Sequence, residues 1–226
     1  MSRIFETRLQ ELKTALIRMG SLVEIAIDQS IESIKSKNRP LAEQIIRDDQ
    51  VINELELTNE TIIVDLLALQ QPVASDLRFI LAASKINNDL ERIGDHAVNL
   101  AESSLSLQKM DLPSPAFQGI DEMAQVTKRM FSDALDCFIH IDSEIGECVL
   151  KMDDTADGLN RTIGQEMMKL MKTHPQSIEL ALELIRVSRN LERVADLATN
   201  IAEEVVFIAN AKVVKHHFND HTESPS

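Results

Sequence analysis

Residues 90–102 read Leu-Glu-Arg-Ile-Gly-Asp-His-Ala-Val-Asn-Leu-Ala-Glu, and residues 191–203 read Leu-Glu-Arg-Val-Ala-Asp-Leu-Ala-Thr-Asn-Ile-Ala-Glu. An offset of 101 therefore returns Leu90, Glu91, Arg92, Asp95, Asn99, Ala101 and Glu102 as Leu191, Glu192, Arg193, Asp196, Asn200, Ala202 and Glu203. Two unrelated helices rarely keep their charged residues in step in this way. The chain is read as an internal duplication of a unit of about 100 residues.

Working outward, apolar residues from Leu9 through Leu12, Leu16, Met19, Val23, Ile27, Ile31 and Ile34 hold the three-then-four spacing of one helix face over residues 3–37. Asn38-Arg39-Pro40 ends that helix, and a second runs from Pro40 to Gln70-Gln71-Pro72. The third starts near Ser75 and carries the 90–102 motif. Pro113 and Pro115 cannot continue it, and the three-helix pattern then restarts, with helices at about 116–140, 143–173 and 175–210. Gly158 and Gly164 fall inside the fifth. Connections this short between long helices make neighbours antiparallel. The expected fold is all-α: two tandem antiparallel three-helix bundles, residues 1–110 and 115–214, followed by a polar tail over 215–226 that contains His216, His217 and His221.

Composition narrows the function. Lys and Arg number 23 against 37 Asp and Glu, a net charge of −14 that repels nucleic acid. The only aromatics are seven Phe, too few to build stacking platforms for bases. Cys137 and Cys148 lack metal-type spacing and do not suggest a disulfide scaffold, so a reduced, cytoplasmic setting is expected. No signal segment and no apolar run long enough for a membrane span is evident.

On the third helix, Leu90, Ile93, Ala97 and Leu100 share one arc while Glu91, Asp95, Asn99 and Glu102 lie opposite. Counting back across the turn at Pro72 sets Glu91 and Asp95 level with Asn53 and Asp49. In the second copy, counting from His174 sets Glu192 and Asp196 level with the stretch holding Asp153 and Asp157, with Asn200 alongside. Two oxygen-rich patches result. Carboxylates at such density repel unless protonated or bridged by cations, and oxygen ligands suit hard divalent or ferric ions. A multinuclear surface metal site is one reading, and a solvated acidic helix face is the other. His96 is a further candidate ligand; its counterpart is Leu197, which makes the two patches chemically unequal. No Glu-x-x-His pair, phosphate-binding glycine loop, nucleophile elbow or zinc-protease helix occurs, and no nucleophile stands with a base. The absence of an enclosed pocket signature also disfavours a small-molecule enzyme.

The chain resembles the PhoU family of phosphate-uptake regulators over roughly residues 3–215. The resemblance rests on Met19-Gly20-Ser21-Leu22-Val23-Glu24, Pro72-Val73-Ala74-Ser75-Asp76-Leu77-Arg78, Leu90 to His96, and Asn190 to Asp196 with Ala198 to Glu203. It implies one E-x-x-x-D motif per bundle, here Glu91 with Asp95 and Glu192 with Asp196, supporting surface iron or zinc clusters, with magnesium or manganese as alternatives. It further implies a homodimeric regulatory adaptor that is not an enzyme. Such an adaptor links a phosphate-specific ABC transporter to a phosphate-sensing histidine kinase and restrains both when phosphate is plentiful. A metal-dependent helical-bundle enzyme and a metal-binding structural protein are the competing classes.

Overall fold

The structure is a computed structural model that describes residues 3–70, 72, 74–110 and 114–217. It contains six long helices: α1 (Arg3–Ser36), α2 (Arg39–Gln70), α3 (Ala74–Leu107), α4 (Ser114–His140), α5 (Ser143–Thr173) and α6 (Ile178–His217), with a 3₁₀ turn at Pro175–Ser177 before the last. No strand occurs among the described residues. Five helices keep the expected bounds to within about two residues, because proline or a capping residue punctuates them. The sixth runs on to His217, past the expected stop near 210 and into the expected tail, since residues 211–217 contain neither Pro nor Gly. The remainder of that tail, with His221, lies outside the described residues. Gly158 and Gly164 do not interrupt α5, and a Cβ at either would meet nothing within 4 Å.

The two copies turn their first corner identically. Lys37 and Ile141 follow α1 and α4 in the left-handed region, with φ of 51° and 52°. The next residue's N–H then donates back across the helix end, Asn38 to the Ser33 carbonyl at 3.0 Å and Asp142 to the Cys137 carbonyl at 3.1 Å. That bond closes orphan carbonyls at a helix C-terminus. The same residues start the following helix, Asn38 Oδ1 accepting from the Leu41 N–H and Asp142 Oδ1 from those of Glu144 and Ile145.

Each bundle carries an interhelical polar pair at equivalent sites, all of its members buried except the half-buried Asn160. Asn59 Nδ2 donates to Asn87 Oδ1 at 2.9 Å, and 101 residues later Ser188 Oγ donates to Asn160 Oδ1 at 2.7 Å. These bonds fix the register of α2 on α3 and of α5 on α6, because an unpaired polar group in a core is costly.

The bundles lie side by side. α3 and α6 pack antiparallel, as Lys85 meets Glu204 at 2.5 Å, Arg186 meets Glu102 at 2.6 Å, and the His96 ring bonds Asn190 between them. Lys85 and Arg186 are themselves 101 apart, so a pseudo-dyad relates the bundles. Behind this seam α1 runs against α4, with reciprocal ion pairs Lys35–Asp121 and Lys128–Asp28. Phe79 of α3 stacks on Phe138 of α4, ring centroids 6.2 Å apart. One apolar core therefore runs through both bundles, from Leu12, Leu16 and Met19 through Leu90 and Ile93 to Phe131, Leu191 and Val194. Both cysteines are free, Cys137 buried and Cys148 exposed. Among the described residues no helix is long and apolar enough to cross a membrane.

Candidate functional site

With α1 and α4 behind the seam, α2, α3, α6 and α5 lie in a row, and the two acidic patches sit in the α2/α3 and α5/α6 grooves. Both motifs occupy helix faces turned away from the core, since Leu90, Ile93 and Ala97, like Leu191, Val194 and Ala198, are buried on the opposite side.

In the first patch Asp49 and Asn53 of α2 meet Glu91 and Asp95 of α3, as the levelling about Pro72 predicts. Asn53 Nδ2 donates to Asp49 Oδ2 at 2.9 Å. Asp49 Oδ1 and Asn53 Oδ1 are buried with no partner, two oxygens removed from water and left without a donor. Burial pushes the Asp49 carboxyl above its ordinary range, and the Asp95 charge adds to this against the Asn53 hydrogen bond. Glu91 is raised likewise, by burial first and then by the charges of Asp95, Glu56 and Asp49. Glu56 is a member the sequence reading missed. The offset of 101 that pairs Glu91 with Glu192 also pairs Glu56 with Asp157, and that was the available signal. The α2/α3 approach is close here: a Cβ on Gly94 would lie 3.3 Å from Ile52 and 3.4 Å from Asp49 Oδ1.

The second patch is tighter. Ligand oxygens of Asp157, Glu192 and Asp196 all lie within 4.8 Å of one another. Asp153 flanks them, accepting from Thr199 Oγ1 at 3.2 Å. Glu192 is raised by burial and by the Asp196 charge, and Asp196 by burial with Asp153 and Asp157 adding to it and Arg193 opposing. Arg193 reaches Asp196 at 3.0 Å and Glu192 at 3.7 Å. Arg92 crosses from the other bundle to line the same hollow, with Asp153, Arg193, Asp196, Thr199 and Asn200. Arg92 also pairs with Asp89 at 3.3 Å.

The remaining candidates divide. Asn200 lines the second hollow, and Asn99 stands half-buried one turn beyond Asp95. His96 is not brought to the acidic groups: its Nδ1 lies 2.9 Å from Asn190 Oδ1 in the α3/α6 seam. One residue of helix turns a side chain by about 100°, which carries His96 off the Asp95 face toward α6. Cys137 offers no nucleophile, its thiol pushed up to about 11 by burial and the Asp142 charge.

Comparison with known proteins places this arrangement. The PhoU domain family matches the chain twice, over residues 16–104 and 120–205, each match spanning one of the two copies. A phosphate-specific transport system accessory protein PhoU homolog of Aquifex aeolicus is 37% identical over 208 residues, 92% of this chain and 94% of that protein. PhoU homolog 1 of Thermotoga maritima is 33% identical, over 93% of this chain and 91% of its own. The crystal structure of PhoU from Pseudomonas aeruginosa superposes with a TM-score of 0.89 at 32% identity, covering 92% of this chain and 99% of that one. The phosphate transport system regulatory protein PhoU from Streptococcus pneumoniae gives 0.85 at 29% identity, over 92% and 97%. A duplicated three-helix unit with one acidic motif per copy, matched along nearly its whole length, makes the chain a member of the PhoU family.

Proposed function

We propose that this protein is a cytoplasmic regulatory adaptor of phosphate uptake and phosphate-starvation signalling. It couples a phosphate ABC transporter to a sensor histidine kinase and restrains both when phosphate is plentiful. The carrying observation is the near full-length match to relatives described as accessory and regulatory proteins of phosphate transport. The reading gives the chain no catalytic role, a homodimeric state, no nucleic-acid partner, and domains at 1–110 and 115–214, with α6 continuing past the second to His217. The acidic surface, at a net charge of −14, supports the exclusion of nucleic acid.

Metal belongs to the same reading. The unpartnered oxygens of Asp49 and Asn53 and the three convergent carboxylates of the second patch fit a hard cation, all donors being oxygen. Asp49, Glu56, Glu91 and Asp95, with Asn53 and Asn99, would hold ions at the first patch; Asp153, Asp157, Glu192 and Asp196, with Asn200, at the second. Iron or zinc is proposed, or magnesium or manganese. A bound cation would offset carboxylate repulsion and tie α2 to α3 and α5 to α6.

The test is deletion of the gene with a reporter for phosphate-starvation genes. Loss of repression in high phosphate is expected, restored by the wild-type gene; continued repression in the deletion refutes the adaptor reading.

A further inference from the structure

The outer face of α3 and α6 carries a feature that neither the core nor the acidic patches use. Leu77 precedes Asp95, and Leu81 precedes Asn99, by 18 residues, about five turns of helix, so all four point the same way. Ile178 and Leu182 stand in the same relation to Asp196 and Asn200. Leu77 and Leu81 are the 101-residue counterparts of Ile178 and Leu182. These four side chains, with Phe207, are 38–57% exposed. A single exposed leucine needs no explanation. Here the same apolar pair recurs in both copies, while the exposed neighbour Asn88 has Arg189 as its counterpart.

The antiparallel seam places the two pairs at opposite ends of one surface. Each pair lies about 22 Å from the pseudo-dyad, so they are about 43 Å apart. Two helices about 10 Å apart across that span offer roughly 860 Å², close to the ~800 Å² per partner of a standard stable interface. Between the apolar ends lie Glu91, Asp95, Glu192 and Asp196 of the two four-carboxylate patches, with Arg92 and Arg193 already ion-paired and Arg189 near Glu192, so this stretch stays net negative even with one divalent cation in each patch. A second copy of this chain would set carboxylates against carboxylates there. A complementary partner is basic at its centre and apolar on both sides, and it repeats that pattern about a two-fold axis.

We infer that this face docks a two-fold symmetric protein, a homodimer with Lys or Arg about its dyad and an apolar socket in each subunit, which receives Leu77/Leu81 at one end and Ile178/Leu182 at the other. The Lys85–Glu204 register brings Phe207 level with Leu81, whereas its counterpart at the far end is Ser106. The Leu81 end is therefore the larger anchor.

The inference rests on the adaptor reading for its probe, the phosphate ABC transporter with its pair of nucleotide-binding subunits, purified in nanodiscs. One homodimer, docked through the face of one of its chains, should bind per transporter by mass photometry. Leu182→Glu should raise Kd about tenfold and Leu81→Glu by more than that, and the double variant should abolish binding. Ile25→Glu, exposed on α1 behind this face, should leave Kd unchanged; circular dichroism confirms that each variant folds. A double variant that binds like wild type, or two homodimers per transporter, overturns the inference and leaves the adaptor reading intact. A wild-type dimer that the double variant converts to monomer overturns it too, assigning the face to a second copy. Wild-type chain that binds neither the transporter nor the kinase overturns both readings.

Discussion

Arg193 spans the two carboxylates of its own motif, while Arg92, its counterpart in the first copy, turns to Asp89 and to the hollow of the second patch. A guanidinium between carboxylates offsets their repulsion, which accounts for the close grouping of Asp157, Glu192 and Asp196. Among the described residues, Asp49, Glu56, Glu91 and Asp95 form no ion pair. A divalent cation arriving at the second patch must therefore compete with a resident positive charge. Arg193→Gln should tighten Mn²⁺ binding there about three- to tenfold by calorimetry at low salt, with the gain shrinking as salt rises. Unchanged affinity would show that Arg193 does not oppose the metal. Most of this site was legible in the sequence, because a helix repeats direction every 3.6 residues and Pro72 sets the level of Asp49 and Asn53 against Glu91 and Asp95. Glu56 escaped that levelling by less than a turn. His96 was misdirected for want of α6 beside it, which spacing within one helix does not disclose.

At the scale of elements, prolines and capping residues made the helix order readable, whereas α6 overran its expected end for lack of a breaker. Glycines divide by what surrounds them. At Gly146 a Cβ would lie 2.7 Å from Val206 Cγ2 and 3.1 Å from Cys137 Sγ, where α5, α4 and α6 converge. At Gly158 it would meet nothing within 4 Å. Gly158→Ala should stabilise the protein by about 1 kcal/mol through helix propensity. Gly146→Ala gains the same propensity but overpacks the core at a cost of about 1–3 kcal/mol, so it should be neutral to destabilising by about 2 kcal/mol. Urea midpoints at constant m distinguish the two; equal stabilisation would mean that α6 yields at Val206.

For the whole molecule, duplication was legible but the manner of pairing was not, since an offset shows that two units are alike without showing how they meet. The seam makes them one core, with Phe79 of the first bundle stacked on Phe138 of the second. Thermal and urea unfolding should therefore follow one cooperative transition, with calorimetric and van't Hoff enthalpies equal. Two resolved transitions would show bundles that unfold independently.

The seam also carries a trace of how the chain diverged. His96 bonds Asn190, and the positions related to that contact by the pseudo-dyad are Leu197 and Asp89. One place therefore sets a histidine against an amide, and the other a leucine against an aspartate. Asp89 is left only 7% exposed, with its carboxyl raised by burial against the pull of Arg92, which hydrogen-bonds to it, and of the Lys85 charge. Fusion thus released each half from having to serve as its own mirror. The inequality of the two acidic patches follows from the same freedom, because Arg92 is held at Asp89 whereas Arg193, with an amide at the matching position, is left to its own motif.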